Sequence, residues 1–237
     1  MSIKLSRYMA LILCSLLFQA CNNDDEVTPN TQATTLDSTH QYFIDIAFGS
    51  EFESGYSNIR KWGTDVFIYL PETKYEELNK ELDLIISELN PLLTTIQVKR
   101  VETIDEANYI IYLGDKDTYV NSYEPSAANA VQNNWGLFWI YWTAEWRINY
   151  GTMYVDVFRT QDLNCQKHLL REELTQSLGL MNDSYDYPTS IFYQEWTCGP
   201  EYADIDKELI KLLYDPKIIT GMSKENVIQY LLSLQAI

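Results

Sequence analysis

The chain predicts an α+β fold: a mixed β-sheet of about five strands, one long helix after the sheet, and a helical C-terminal part. Three observations predict it. Short apolar runs, alternating or continuous, recur between residues 65 and 158, as strands require. One long run, Leu163 to Leu180, carries its leucines at helical spacing. Two further helical runs, Ile205 to Tyr214 and Lys224 to Leu234, close the chain, separated by Pro216 and Gly221.

Taken in order, Tyr42, Phe43, Ile46, Ala47 and Phe48 mark a short buried helix before Gly49. Trp62 introduces a strand over Asp65 to Leu70, where Val66, Ile68 and Leu70 alternate until Pro71. Leu78, Leu82, Ile85, Ile86 and Leu89 place a helix over Lys74 to Leu89. Ile96 to Val101 and Ala107 to Leu113 read as strands, and the nearly continuous apolar second one suits a central position. Asn121 to Asn134 has the composition of a loop. Leu137 to Trp142 and Thr152 to Phe158 follow as aromatic-rich strands. The stripe of Trp135, Phe138, Trp139, Tyr141, Trp142 and Trp146 reads as core, with a sugar- or peptide-binding surface as the alternative.

Residues 1–20 have the order of a cleavable signal peptide: Lys4 and Arg7, an apolar run from Leu11 to Phe18, then Ala20 before Cys21. The run falls short of the roughly 20 residues a spanning helix needs. Leu17-Phe18-Gln19-Ala20-Cys21 resembles a bacterial lipobox, which implies lipidation of Cys21 and attachment to the membrane through that anchor. Asn22 to Glu26 looks like the acidic signal that sends bacterial lipoproteins to the outer leaflet of the outer membrane. The expected location is therefore the cell surface, with the periplasmic face as the alternative. Residues 21–38 read as the lipidated Cys and a flexible acidic tether, and residues 39–237 as one domain.

With 17 basic and 34 acidic residues and a net charge of −17, the chain disfavours nucleic acid and anionic lipid as partners. Of its 4 cysteines, Cys14 leaves with the leader and Cys21 takes lipid. The pair that remains, Cys165 and Cys198, is expected to form a disulfide outside the cytoplasm. A metal site is the rival reading, because Cys165-Gln166-Lys167-His168 has CxxH spacing.

The chemistry-bearing run lies on the long helix: Glu172-Glu173-Leu174-Thr175-Gln176-Ser177-Leu178-Gly179, followed by Asn182 and Asp183. Set against the zinc-protease signature H-E-x-x-H-x-x-G-x-x-H, it matches at the Glu and the Gly and fails at each ligand. Residues four apart share a helix face, so two ligands converge on one metal while the Glu between them holds the water. Glu172, Gln176 and Asn182 stand at the ligand positions and Glu173 at that of the general base. His168 lies one turn before Glu172 and two before Gln176, so the three fall within about 80° of one helix face.

The order of elements resembles a metzincin-like zincin, which implies that fold, although no Met stands at the turn near Ser190-Ile191-Phe192. Ile44 to Glu51, the run Glu172 to Leu180, and Leu213 to Pro216 with Gly221-Met222 are similar to a family of uncharacterised bacterial lipoproteins, domain of unknown function family 2927. That resemblance covers most of residues 39–234 and implies no activity.

The expectation is that no cofactor is held. His168, Glu172 and Gln176 then form the hydrophilic face of an amphipathic helix, with Leu170, Leu174 and Leu178 opposite. Gln and Asn are poor zinc ligands, while calcium or another hard cation suits oxygen donors. Three functions follow. The favoured one is a non-catalytic lipoprotein whose remnant cleft, built by His168, Glu172, Gln176, Asn182 and Asp183, binds a peptide, glycan or protein. The second is a metal-dependent peptidase with Glu173 as base. The third is an assembly factor of the outer membrane.

Overall fold

The computed structural model describes residues 35–49 and 57–236. The expected signal peptide, the expected lipidation site Cys21 and nearly all of the expected tether lie outside the described residues. No described helix is long and apolar enough to cross a membrane.

Helix α1 (Ser38–Phe48) starts where Asp37 accepts a hydrogen bond from the His40 amide, which satisfies one of the free N–H groups of the first turn. It buries Tyr42, Phe43, Ile46 and Phe48. Strands β1 (Lys61–Trp62) and β2 (Val66–Tyr69), helix α2 (Glu76–Leu89), and strands β3 (Val98–Arg100) and β4 (Tyr109–Gly114) follow. Helix α3 (Lys116–Ser122) and two single 3₁₀ turns, Pro125–Ala128 and Ala130–Gln132, then fill most of the stretch expected to be loop. Only Tyr119 is buried in α3, so no apolar period announced it. Strands β5 (Gly136–Trp142) and β6 (Arg147–Asp156) lead into α4 (Leu163–Gln176), α5 (Asp204–Leu213) and α6 (Lys224–Gln235).

The sheet is mixed, as expected, but has six strands. The additional one, β1, is too short to show a pattern. β6, β4, β2 and β3 lie side by side in parallel, β1 pairs in parallel with the start of β6, and β5 runs antiparallel along the side of β6 opposite β1 and β4.

Neighbouring residues on β5 point to opposite faces. Phe138 and its partner Met153 pack into the large core formed with α1, α2, α4, α5 and α6. Leu137 and its partner Tyr154 pack into a small cluster with Tyr119, Ala127 and Val131 on the other face. The aromatic stripe expected as core is therefore split. Trp135, Tyr141 and Trp142 are exposed, and Phe138, Trp139 and Trp146 are half-buried.

Candidate functional site

Helix α4 positions the site. Asp162 accepts hydrogen bonds from the amides of Asn164 and Cys165 and so caps its start. Leu170, Leu174 and Leu178 are buried in the large core, which fixes the rotation of the helix. The opposite face carries His168, Glu172, Glu173 and Gln176 into a cleft of about 560 Å³. Strand β5 supplies the second wall, through Gly136 and Phe138, and Asp183 with Tyr193 to Thr197 supplies the third. This face is not a solvated surface: His168 and Gln176 are buried, and Glu173 is only 9 % exposed.

Gly136 lets the helix come this close to the strand. A Cβ at that position would stand 2.6 Å from a Glu173 carboxylate oxygen and 3.0 Å from Leu169. Tyr109 and Tyr119, both fully buried, feel the negative charge of Glu173, which joins burial in holding their hydroxyls protonated.

His168 lies between two acceptors. Its Nδ1 donates to the Gly199 carbonyl at 2.6 Å and its Nε2 faces the Glu172 carboxylate at 3.3 Å, with the Thr197 hydroxyl also at 3.3 Å. Burial opposes the charged ring, but the hydrogen bond and charge of Glu172 outweigh it and raise the His168 pKa. A histidine whose pKa is higher in the folded than in the unfolded chain contributes stability that is fully present below the unfolded value, about 6.5. That contribution is lost as pH rises through the folded pKa. The stability gap between the native protein and His168→Gln is therefore expected to be widest near pH 5 and to narrow above about pH 6.5. A proton NMR titration of the His168 ring checks the cause directly. A midpoint at or below the free-histidine value would contradict the pairing.

The wall from Tyr193 to Thr197 was absent from the sequence reading of the site. It is held at one end by the Cys165–Cys198 disulfide, which joins α4 to the residue following Thr197 across a separation of 33 residues. At the other end Asp206, fully buried, accepts hydrogen bonds from Ser190 Oγ at 2.5 Å, the Ile191 amide and the Ala203 amide, and Tyr42 donates to the same Ser190 oxygen. Burial raises the Asp206 pKa despite these donors. The disulfide itself was the signal that could have found the wall, because it ties Trp196 and Thr197 to the first turn of α4. Replacing both cysteines by Ser is expected to cost ~3 to 4 kcal/mol for a loop of this length. Denaturant unfolding measures it, and a loss below about 1 kcal/mol would show that the loop is held without the bridge.

Residues 37–233 match the model of a family described as a protein of unknown function, DUF2927. The chain belongs to that family. No curated protein matches it. In this DUF2927 chain the run Glu172 to Leu180 builds one wall of the cleft and the turn below it.

The residues at the three zinc-ligand positions do not fit zinc. Glu172 pairs with His168, and Gln176 donates from Nε2 to Asp183 at 2.6 Å. Asn182 leaves the cleft, a correction to its expected place there. Its Nδ2 donates to the Asp45 carbonyl at 3.2 Å, and a Cβ on Gly49 would strike its side chain at 2.4 Å. It closes the end of α1 instead. Among the described residues no group of three or more His, Cys, Asp or Glu side chains is arranged to hold a metal ion. Glu173, at the general-base position, meets β5 rather than a ligand set.

Two tryptophans complete the mouth. Trp135 and Trp196 meet edge to face with centroids 5.2 Å apart, and they are 38 % and 57 % exposed. Both rings line the cleft.

Proposed function

We propose that this chain is an exported, lipid-anchored binding protein whose cleft takes an extended peptide segment of a partner and does not cleave it. The zincin-like arrangement, a motif helix above an antiparallel edge strand, is part of this reading.

One observation carries it: the edge of β5 that lines the cleft is turned outward. The Asp156 amide donates to the Trp135 carbonyl, so residues 135, 137, 139 and 141 exchange hydrogen bonds with β6. The amides and carbonyls of Gly136, Phe138 and Ile140 then point away from β6, and no other described strand pairs with them. An open strand edge beside a cleft suits strand addition, in which the ligand backbone provides affinity and pockets read alternate side chains. Trp135 and Trp196 offer rings for such side chains to pack on. Hydrolysis would need an activated water, and the residues at the ligand positions are engaged elsewhere, Glu172 with His168, Gln176 with Asp183 and Asn182 with α1.

The test is incubation of the purified protein with a random-sequence peptide library, followed by sequencing of what is retained. Enrichment of peptides in one register is expected. Phe138→Pro should abolish it, because proline removes an outward N–H and leaves the β5–β6 ladder intact. Retained peptides that Phe138→Pro also binds would sink the strand-addition reading. Shortened peptides whose appearance depends on Glu173, tested with Glu173→Gln, would restore a peptidase. For the anchor, Cys21→Ser should move the protein from the membrane to the soluble fraction. Continued membrane binding by that variant would count against lipidation.

A further inference from the structure

Away from the cleft, a second cavity of about 340 Å³ opens where β1, the turn before β3 and the connection from α5 to α6 meet. Two of its lining residues are cations, Lys61 and Arg147, which are register partners across the parallel β1–β6 pair. Lys61 forms part of the floor and is 5 % exposed. Its Nζ donates to the Leu213 carbonyl at 2.7 Å and lies 5.1 Å from the centre of the Tyr214 ring.

Capping the end of α5 accounts for one of the three Lys61 donors and for none of those of Arg147. Among the described residues no carboxylate lies within ion-pair distance of either cation, although Glu145 feels the charge of Arg147, whereas Lys80, Lys99, Arg100, Arg159 and Arg171 each meet one. The acid whose charge Lys61 feels, Asp215, already accepts from the Tyr230 hydroxyl and the Lys217 amide. Burial pulls the Lys61 ammonium down to about 8, and the charge of Asp215 offsets only part of that. The stem of Arg147 is seated on Gly63, where a Cβ would stand 2.3 Å from its Cδ. Thr95 and Thr220 add hydroxyls, and Ile96 and Ile218 add apolar wall.

We propose that this cavity is an oxyanion site, holding the phosphate or carboxylate group of a small ligand between the Lys61 ammonium and the Arg147 guanidinium. A guanidinium fork and an ammonium are the groups that recognise such oxygens. The net charge of −17 works against anions at long range, but it is screened beyond about 8 Å at physiological salt, and the local pair decides.

Inorganic phosphate and, separately, acetate are titrated into isotope-labelled protein at constant ionic strength, with chloride as the control. Saturable amide shifts are expected around β1, residues 95–96 and residues 218–220. Saturation by phosphate alone marks a phosphate-bearing ligand, and saturation by acetate alone a carboxylate. Arg147→Gln, an exposed change, should weaken binding about tenfold or more. Lys61→Met should do the same, and the Lys61 amine should titrate higher in the saturated native protein than in the free one. No saturable shift with either anion, the same shifts with chloride, or undiminished binding by Arg147→Gln would each overturn the proposal.

Discussion

Gly179→Ala is expected to lower the melting temperature by roughly 6 to 12 °C, the equivalent of about 3 kcal/mol in a domain of this size. Gly179 has φ +125°, a conformation that side chains rarely adopt, and holding alanine there costs on the order of 1 to 3 kcal/mol. The added methyl would also stand 2.1 Å from the Arg60 carbonyl oxygen and 3.2 Å from Leu213 Cδ2. That carbonyl cannot retreat cheaply. On one side of it Ile59 exchanges backbone hydrogen bonds with Met222 and Gly221, and on the other Lys61 pairs with Arg147 on β6. The Arg60 side chain is buried with its guanidinium 4.1 Å from the centre of the Trp142 ring. Overpacking against so fixed a backbone adds about 1 to 3 kcal/mol. Thermal unfolding of the purified variant measures the sum. A drop below about 2 °C would mean that the Arg60 strand shifts freely and that the turn is not pinned as described.

The same glycine explains where reading the sequence succeeded and where it stopped. The helices α2 and α4 were legible because their leucines recur at the helical period, and His168, Glu172 and Gln176 were rightly placed on one face by spacing alone. Past Gln176 the chain leaves the helix, and the period no longer says where a residue goes. Asn182 was assigned to the cleft by analogy with a third ligand, yet the turn at Gly179 sends it to Asp45 on α1. A contact across 137 residues leaves no local trace. The antiparallel direction of β5, on which the proposed binding edge depends, was equally hidden, because an aromatic run reads the same in either direction. The strand β1 is two residues long and has no period to show.

Arg171 is the largest omission, because spacing showed only that α4 buries leucines on the face opposite His168. This arginine is 1 % exposed and reaches α2, where Nη2 meets Glu81 at 2.8 Å and Nη1 meets Glu88. Its guanidinium lies 4.3 Å from the centre of the Tyr202 ring, and Tyr202 in turn bonds Thr175 at 2.7 Å. Glu81 is itself 5 % exposed, with Lys167 at 3.3 Å as its other cation. Removing one member of a buried ion pair leaves a charge that is neither solvated nor matched, which typically costs about 3 to 5 kcal/mol. Arg171→Met keeps the length and most of the packing over Tyr202, and Lys167 still neutralises part of Glu81. The lower end of that range, about 3 kcal/mol, is therefore expected from denaturant unfolding. The second half of the experiment separates charge from shape. If the cost lies in the stranded carboxylate, adding Glu81→Leu to Arg171→Met should recover most of the loss, since buried pairs replaced by apolar groups of similar volume are often neutral or stabilising. If the double variant is instead less stable than Arg171→Met alone, the carboxylate is not stranded and its pairing with Lys167 is what ties α4 to α2. Cleft binding should then weaken along with stability, because His168, Glu172 and Glu173 lie on that helix.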